Sequence, residues 1–356
     1  MIRCFFCPPT ATARPVGRRG FIAGAAALAA TGLAAPGLAA PTGAQPRPHR
    51  IDVHHHLVAP TWLDALKTAK LDTPPMRSWT PQHSIEDMDQ AGVATAILSP
   101  TTPQVGFLPK DAAVRIARES NDYAKRLTIE HPGRFGMFAM LPMPYVDESL
   151  QAIDYALDVL KANGIGMMTS YGDKWLGYPE FAPVFDALNR RKATVYTHPT
   201  GANCCVNLVQ GLPETVVEYG ADTTRSIANL IFSGASQRYQ DITFIFSHGG
   251  GVLTAVAERF EIQIVNTPPT KGRFTRAIVD HELRRFYYDT AQIANAVTIG
   301  ALAQLVPTSQ IVFGTDYPYR TAAEHVAGLA KAFHGRTLRA IERDNALRIL
   351  PGLTAV

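Results

Sequence analysis

Asp52-Val53-His54-His55-His56 closes a short apolar run that begins at Ile51. In an extended strand residues i and i+2 share a face, so His54 and His56 converge while His55 turns away, and two imidazoles placed like this offer half of a metal site. Taken alone, a three-histidine run is equally compatible with a solvated loop. Three other runs tip the balance. Residues 193–198 (ATVYTH) and 242–248 (ITFIFSH) are β-branched and aromatic segments that end in His198 and His248, and 311–316 (IVFGTD) ends in Asp316. Four strand ends therefore carry groups that ligate cations or move protons.

A parallel α/β barrel brings all such ends to one mouth. Length and composition suit one: 356 residues, 46% hydrophobic and 18% charged, hold a barrel of roughly 250 residues with insertions and a leader. Strand-like segments at 51–56, 94–99, 135–141, 165–169, 193–198, 242–248, 286–289 and 311–316 alternate with helix-like ones at 60–69, 111–131, 146–161, 181–190, 222–233, 252–264 and 295–305. This is the pattern of repeated βα units, and it predicts an α/β fold of the (β/α)8 TIM-barrel type. Ser84 with Asp87 reads as a capped helix start. Insertions at 70–82 and 199–220 are expected to cover the mouth.

The first forty-odd residues differ from the rest. Arg3, Arg14, Arg18 and Arg19 precede or flank an Ala/Gly/Leu run at 21–33, no acidic residue occurs, and small residues follow around Leu38-Ala39-Ala40. Arg18-Arg19-Gly20-Phe21-Ile22 is similar to a twin-arginine export signal. We therefore expect residues 1–44 to be a cleavable signal and linker, and residues 45–356 a single barrel domain. Periplasmic or secreted location follows, with a cytoplasmic location the alternative, and no stable membrane anchor is expected after cleavage. Without the leader the formal net charge of +4 loses four arginines and falls to zero. No basic stripe or nucleic-acid-binding motif is left to suggest a nucleic-acid partner. Cys4 and Cys7 leave with the leader, and the adjacent Cys204 and Cys205 could close only a strained ring, so no structural disulfide is expected.

The order His54-x-His56, His198, His248, Asp316, with Ser247-His248-Gly249-Gly250-Gly251 and Phe313-Gly314-Thr315-Asp316-Tyr317-Pro318, resembles the amidohydrolase superfamily. Within it the chain is similar to the decarboxylase branch typified by aminocarboxymuconate-semialdehyde decarboxylase. Residues 186–192 (DALNRRK) and Thr197-His198-Pro199-Thr200 resemble its 6-methylsalicylate-decarboxylase-like members. The resemblance spans nearly all of residues 50–350. It implies that His54, His56, His198 and Asp316 bind one divalent metal, with His248 beside it as acid or base. Three imidazoles and a carboxylate suit zinc, with manganese the alternative. Binuclear members carry a lysine at the end of the fourth strand, where this chain has Met167-Met168-Thr169-Ser170, so one metal is expected.

The resemblance implies non-oxidative decarboxylation of a hydroxy-aromatic or related unsaturated carboxylic acid. The metal would polarise the substrate, and Asp316, or water assisted by His248, would protonate the carboxyl-bearing carbon. The same centre serves hydrolysis of an amide, lactone or ester, which is the alternative reading. A binding protein without activity is the third, although no ligand position is missing. Trp175, Tyr171, Arg225, Tyr317 and Tyr319 are candidate substrate contacts: the aromatic rings could stack on a substrate ring and the guanidinium could pair its carboxylate. Asp289, at the end of the seventh strand, is expected to hydrogen-bond a ligand histidine. A homodimer is expected by resemblance.

Overall fold

The computed structural model describes residues 48–353. The predicted export signal at 1–44 lies outside the described residues. The described residues form one compact unit. Its strands are β1 (Arg50–His56), β2 (Val93–Ser99), β3 (Phe135–Met140), β4 (Gly164–Met168), a hairpin of β5 (Ser170–Tyr171) and β6 (Lys174–Trp175), then β7 (Thr194–His198), β8 (Thr243–Phe246), β9 (Tyr287–Asp289) and β10 (Ile311–Val312). The hairpin is antiparallel, and the other eight run parallel in the order β1-β2-β3-β4-β7-β8-β9-β10. Backbone bonds between the outermost two close the ring: Val53 N–H donates to Phe313 O at 2.9 Å, and Asp316 N–H to His54 O at 2.8 Å. The predicted TIM barrel is the fold.

Strands covered on both faces read as continuous apolar runs, and β2 (VATAILS) is buried at every position. Inside the ring Ile51, Val53, Ile97, Phe138, Tyr196, Ile245 and Val312 pack together, joined from below by Ala346 and Leu350. Between strands and helices lies a larger layer that includes Trp62, Leu66, Phe185, Phe244, Phe246 and Phe286. Asn163 Nδ2 donates to Pro351 O at 2.7 Å and Thr194 Oγ1 to Ile349 O at 2.5 Å, so the C-terminal segment is tied across the barrel floor.

Four local expectations need correction. The helix after the first unit runs Pro81–Ala91, and its N-cap is Thr80, whose hydroxyl accepts from His83 N–H at 3.1 Å. Ser84 and Asp87 are buried inside that helix, because Pro81 suits the first helical turn and fixes the start earlier. Residues 70–82 are not an open insertion but hold a short helix, Pro74–Ser78. The helix expected at 222 starts a turn earlier, at Glu218. The last strand ends at Val312 rather than 316, since Phe313 N–H turns away to Ile341 O and Asp316 takes a left-handed φ of 66°. The pattern leaves 322–350 unassigned, where the structure has the helices Ala322–Ala332, Gly335–Arg339 and Asn345–Ile349.

Candidate metal centre at the barrel mouth

His54 and His56 project from β1, His198 ends β7, and His248 and Asp316 follow β8 and β10. Each of the first three rings has Nδ1 against an oxygen: His54 faces Asp289 Oδ2 at 2.7 Å, His56 faces Ser99 O at 3.1 Å, and His198 faces Pro199 O at 2.9 Å. Carbonyl and carboxylate oxygens only accept, so each Nδ1 carries the proton and each neutral Nε2 a lone pair. Those lone pairs meet. His54 Nε2 and His56 Nε2 are 3.2 Å apart and stand 3.1 and 3.0 Å from Asp316 Oδ1. His54, His198, His248 and Asp316 also offer one atom each within 4.8 Å of one another. Lone pairs and a carboxylate pressed together in a dry site repel unless a cation lies among them, and this donor set fits a divalent metal.

The electrostatics agree. Burial disfavours charge on His54, yet Asp289 and Asp316 outweigh it and push the imidazole up to about 10. Burial, reinforced by the neighbouring His56 and His54 rings, holds His198 well below the ordinary histidine range. Burial resists ionisation of Asp316, but the His54 charge and hydrogen bonds from the surrounding imidazoles keep its carboxyl well below the usual range. The site therefore demands one positive charge between Asp289 and Asp316, met by a proton on His54 or by a cation.

The backbone is shaped to allow this crowding. A Cβ on Gly314 would lie 2.8 Å from His54 Cβ and 3.0 Å from Asp289 Cβ, so any side chain there would push both groups out of place. Asp52 ties the start of the barrel to its end: one oxygen accepts from His54 N–H at 3.0 Å and Thr315 N–H at 3.1 Å, the other from Thr315 Oγ1 at 2.6 Å and His55 Nδ1 at 2.9 Å. After β8 the chain is left-handed from His248 through Gly251, and a Cβ on Gly251 would meet Gly220 O at 2.0 Å. Asp289 Oδ1 accepts His248 N–H at 2.8 Å while its other oxygen holds the His54 ring, as expected of that residue. His248 Nε2 is buried, makes no hydrogen bond and lies 3.5 Å from Asp316 Oδ2.

The sequence-derived candidates separate into two groups. His54, His56, His198, His248 and Asp316 come together. Trp175 has its Nε1–H committed to Asp222 Oδ1 at 2.7 Å, Arg225 pairs with Glu218 at 3.3 Å, and the Tyr317 ring stacks on His55 at 4.7 Å. The tyrosine that faces the cluster is Tyr319, 5.8 Å from His56, joined by Tyr196 at 5.4 Å from His54 and Tyr219 at 6.4 Å from His198. Tyr196 was within reach of strand periodicity, two places before His198 on the same face. Asp222 and Gln292 were not, because their partners are distant in sequence. Asp222 accepts from Thr169 Oγ1 and from Ser170 Oγ at 2.9 Å, and Gln292 Nε2 donates to Asp316 Oδ2. Among the described residues Cys204 and Cys205 are free thiols.

The barrel with a His/Asp metal-binding group at its mouth defines a metal-dependent enzyme of the amidohydrolase type. The amidohydrolase family model matches residues 51–352, and the chain belongs to that family. It is 34% identical over 329 residues to decarboxylase yanB of Aspergillus niger, covering 85% of this chain and 87% of that protein. It is also 34% identical over 326 residues to a 6-methylsalicylic acid decarboxylase of Aspergillus aculeatus, covering 85% and 96%. Among solved structures, a manganese-bound 5-carboxyvanillate decarboxylase from Novosphingobium aromaticivorans shares the fold, with a TM-score of 0.74 at 20% identity over 84% of this chain and 95% of the other. Within its family the chain stands with the carboxy-lyases.

Proposed function

We propose that the chain catalyses metal-dependent, non-oxidative decarboxylation of a hydroxy-aromatic carboxylic acid of the 6-methylsalicylate kind. The meeting of His54 Nε2 and His56 Nε2 at Asp316 Oδ1, with His198 and His248 close by, supports the metal dependence, and likeness to the decarboxylases carries the reaction. Likeness to the 6-methylsalicylic acid decarboxylase supports the substrate class. His54, His56, His198 and Asp316 would hold one divalent cation. Thr169 and Ser170, at the end of β4 where a second metal would need a lysine, spend their hydroxyls on Asp222. Zinc suits the three-nitrogen, one-oxygen set, with manganese the competitor that a metal assay must separate. When bound, the cation draws electron density from the substrate carboxylate and its neighbouring hydroxyl.

The residues do the rest. Asp289 fixes the orientation of the His54 ring and anchors the backbone that carries His248. His248 Nε2, free of hydrogen-bond partners, holds or delivers the proton that replaces the departing carboxyl group. The rings of Tyr219 and Tyr319 stand edge-on to His198 and His56. Export through the leader and a homodimer belong to the same proposal, and N-terminal sequencing of the exported protein and light scattering check them.

The test is carbon dioxide release by metal-quantified protein on a panel of salicylates, with esters and lactones alongside. Release from a hydroxy-aromatic acid supports the reading. Ester or lactone cleavage without it moves the same centre to hydrolysis. Asp316→Ala is expected to lose metal and turnover together, and His248→Ala to keep metal and lose turnover.

A further inference from the structure

Gln292 sits just past β9 and was not a candidate from sequence. Its φ is 59°, a left-handed conformation that is unfavourable for a residue with a Cβ. That conformation is held from outside. Gln292 N–H donates to Nε2 of His325 at 3.0 Å, and His325, buried at 2% exposure, donates Nδ1–H to Thr321 O at 2.9 Å, which leaves Nε2 as the acceptor. From this backbone the side-chain amide reaches Asp316 Oδ2. A polar cavity of about 110 Å³ lined by Gln292, Ala294, Asn295, Arg320, Glu324 and His325 lies alongside.

The two oxygens of Asp316 thus face different groups. Oδ1 faces the Nε2 atoms of His54 and His56, and Oδ2 faces the Gln292 amide and, at 3.5 Å, His248. His325 and Thr321 belong to the segment that follows Asp316, and Tyr319 N–H returns to Asp316 O at 2.9 Å. The loop after β9 is therefore latched at two points through one residue: backbone to His325 in the helix Ala322–Ala332, side chain to Asp316 in the loop after β10.

We propose that Gln292 is a positioning residue that engages Oδ2 of Asp316 and so presents Oδ1 to the metal point. The inference rests on the reading of Asp316 as a metal ligand. A merely structural role would move the stability of the metal-free protein; a positioning role moves metal affinity and kcat.

The experiment compares wild type, Gln292→Leu, Gln292→Gly, Gln292→Asn and Asp316→Ala. Metal dissociation constants for zinc and manganese are read by chelator competition, metal-free melting temperatures by calorimetry, and kcat and KM on whichever acid releases carbon dioxide. Gln292→Leu removes the donor at similar size. It is expected to weaken metal binding about tenfold and lower kcat with KM nearly unchanged, the scale seen when a ligand loses its hydrogen-bond partner. Gln292→Gly, which removes the amide and relieves the left-handed strain, is expected to weaken metal binding as much while melting no lower than wild type. Gln292→Asn keeps a donor one methylene short and is expected to recover part of the loss. Wild-type metal affinity and kcat in both the Leu and Gly variants would overturn the inference, while loss of metal in Asp316→Ala beside them would leave the proposed function standing. Wild-type protein that takes up neither zinc nor manganese would overturn both.

Discussion

Asp289 gives the strongest single-residue lever on the centre, because one carboxylate serves two of its members. Its oxygens hold His54 Nδ1–H at 2.7 Å and His248 N–H at 2.8 Å. Asp289→Ala removes no proposed ligand, yet it frees the His54 ring to turn and leaves its Nδ1–H unsatisfied in a fully buried site. Metal affinity is expected to fall about 10–100-fold, measured by chelator competition, with the far-ultraviolet circular dichroism of the barrel retained. An unchanged dissociation constant would show that packing alone orients the ring. At this scale the five converging residues were legible, since each is a histidine or aspartate ending a β-branched run. Gln292 was not, because its function depends on a left-handed turn held by His325, and neither the turn nor that partner leaves a mark in the local pattern.

Elements were legible where period and punctuation agreed. The helix Pro60–Ala69 matches its expected bounds, and seven strands end within two residues of expectation. The miss at β10 has a physical cause: Phe313 and Gly314 are apolar and small enough to extend a strand on paper, but close approach of His54 and Asp289 to Gly314 bends the chain away. Ser84 and Asp87 were misread for a related reason. Both are polar residues committed to tertiary contacts: His55 Nε2 on β1 lies 3.1 Å from Ser84 Oγ, and Asp87 Oδ2 accepts from Ala322 N–H at 3.0 Å. Burial pushes the Asp87 carboxyl above the usual range despite that hydrogen bond. A folded-state value above the unfolded one means that the protonated group favours folding. The contribution is fully present below about 4, the unfolded value, and is lost as pH rises through the folded value. Asp87→Asn keeps the acceptor and does not titrate. Its melting temperature relative to wild type is therefore expected to rise between pH 4 and pH 7, and a difference independent of pH would refute the assignment.

For the whole molecule, stability and metal are linked. The proposed ligands come from β1, β7 and the segment after β10, so an unfolded chain cannot gather them, and a cation present at a hundred times its dissociation constant adds about 2.7 kcal/mol to folding. Calorimetry with and without chelator is expected to show a fall of roughly 5–10 °C in the metal-free protein. A melting temperature indifferent to the chelator would argue that metal is not held by the folded barrel. Among the described residues no helix is long and apolar enough to cross a membrane.

Closure of the ring between its outermost strands also sets an order of events in time. His56 and Asp316 touch across 260 positions of sequence, which a ribosome adding about 5–20 residues per second covers in roughly 13–50 s. Throughout that interval the growing polypeptide owns an imidazole pair and lacks its carboxylate. On the proposed ligand set, an ion captured early would be held loosely, and the choice among ions would be made late, when the last strand arrives and completes the grip.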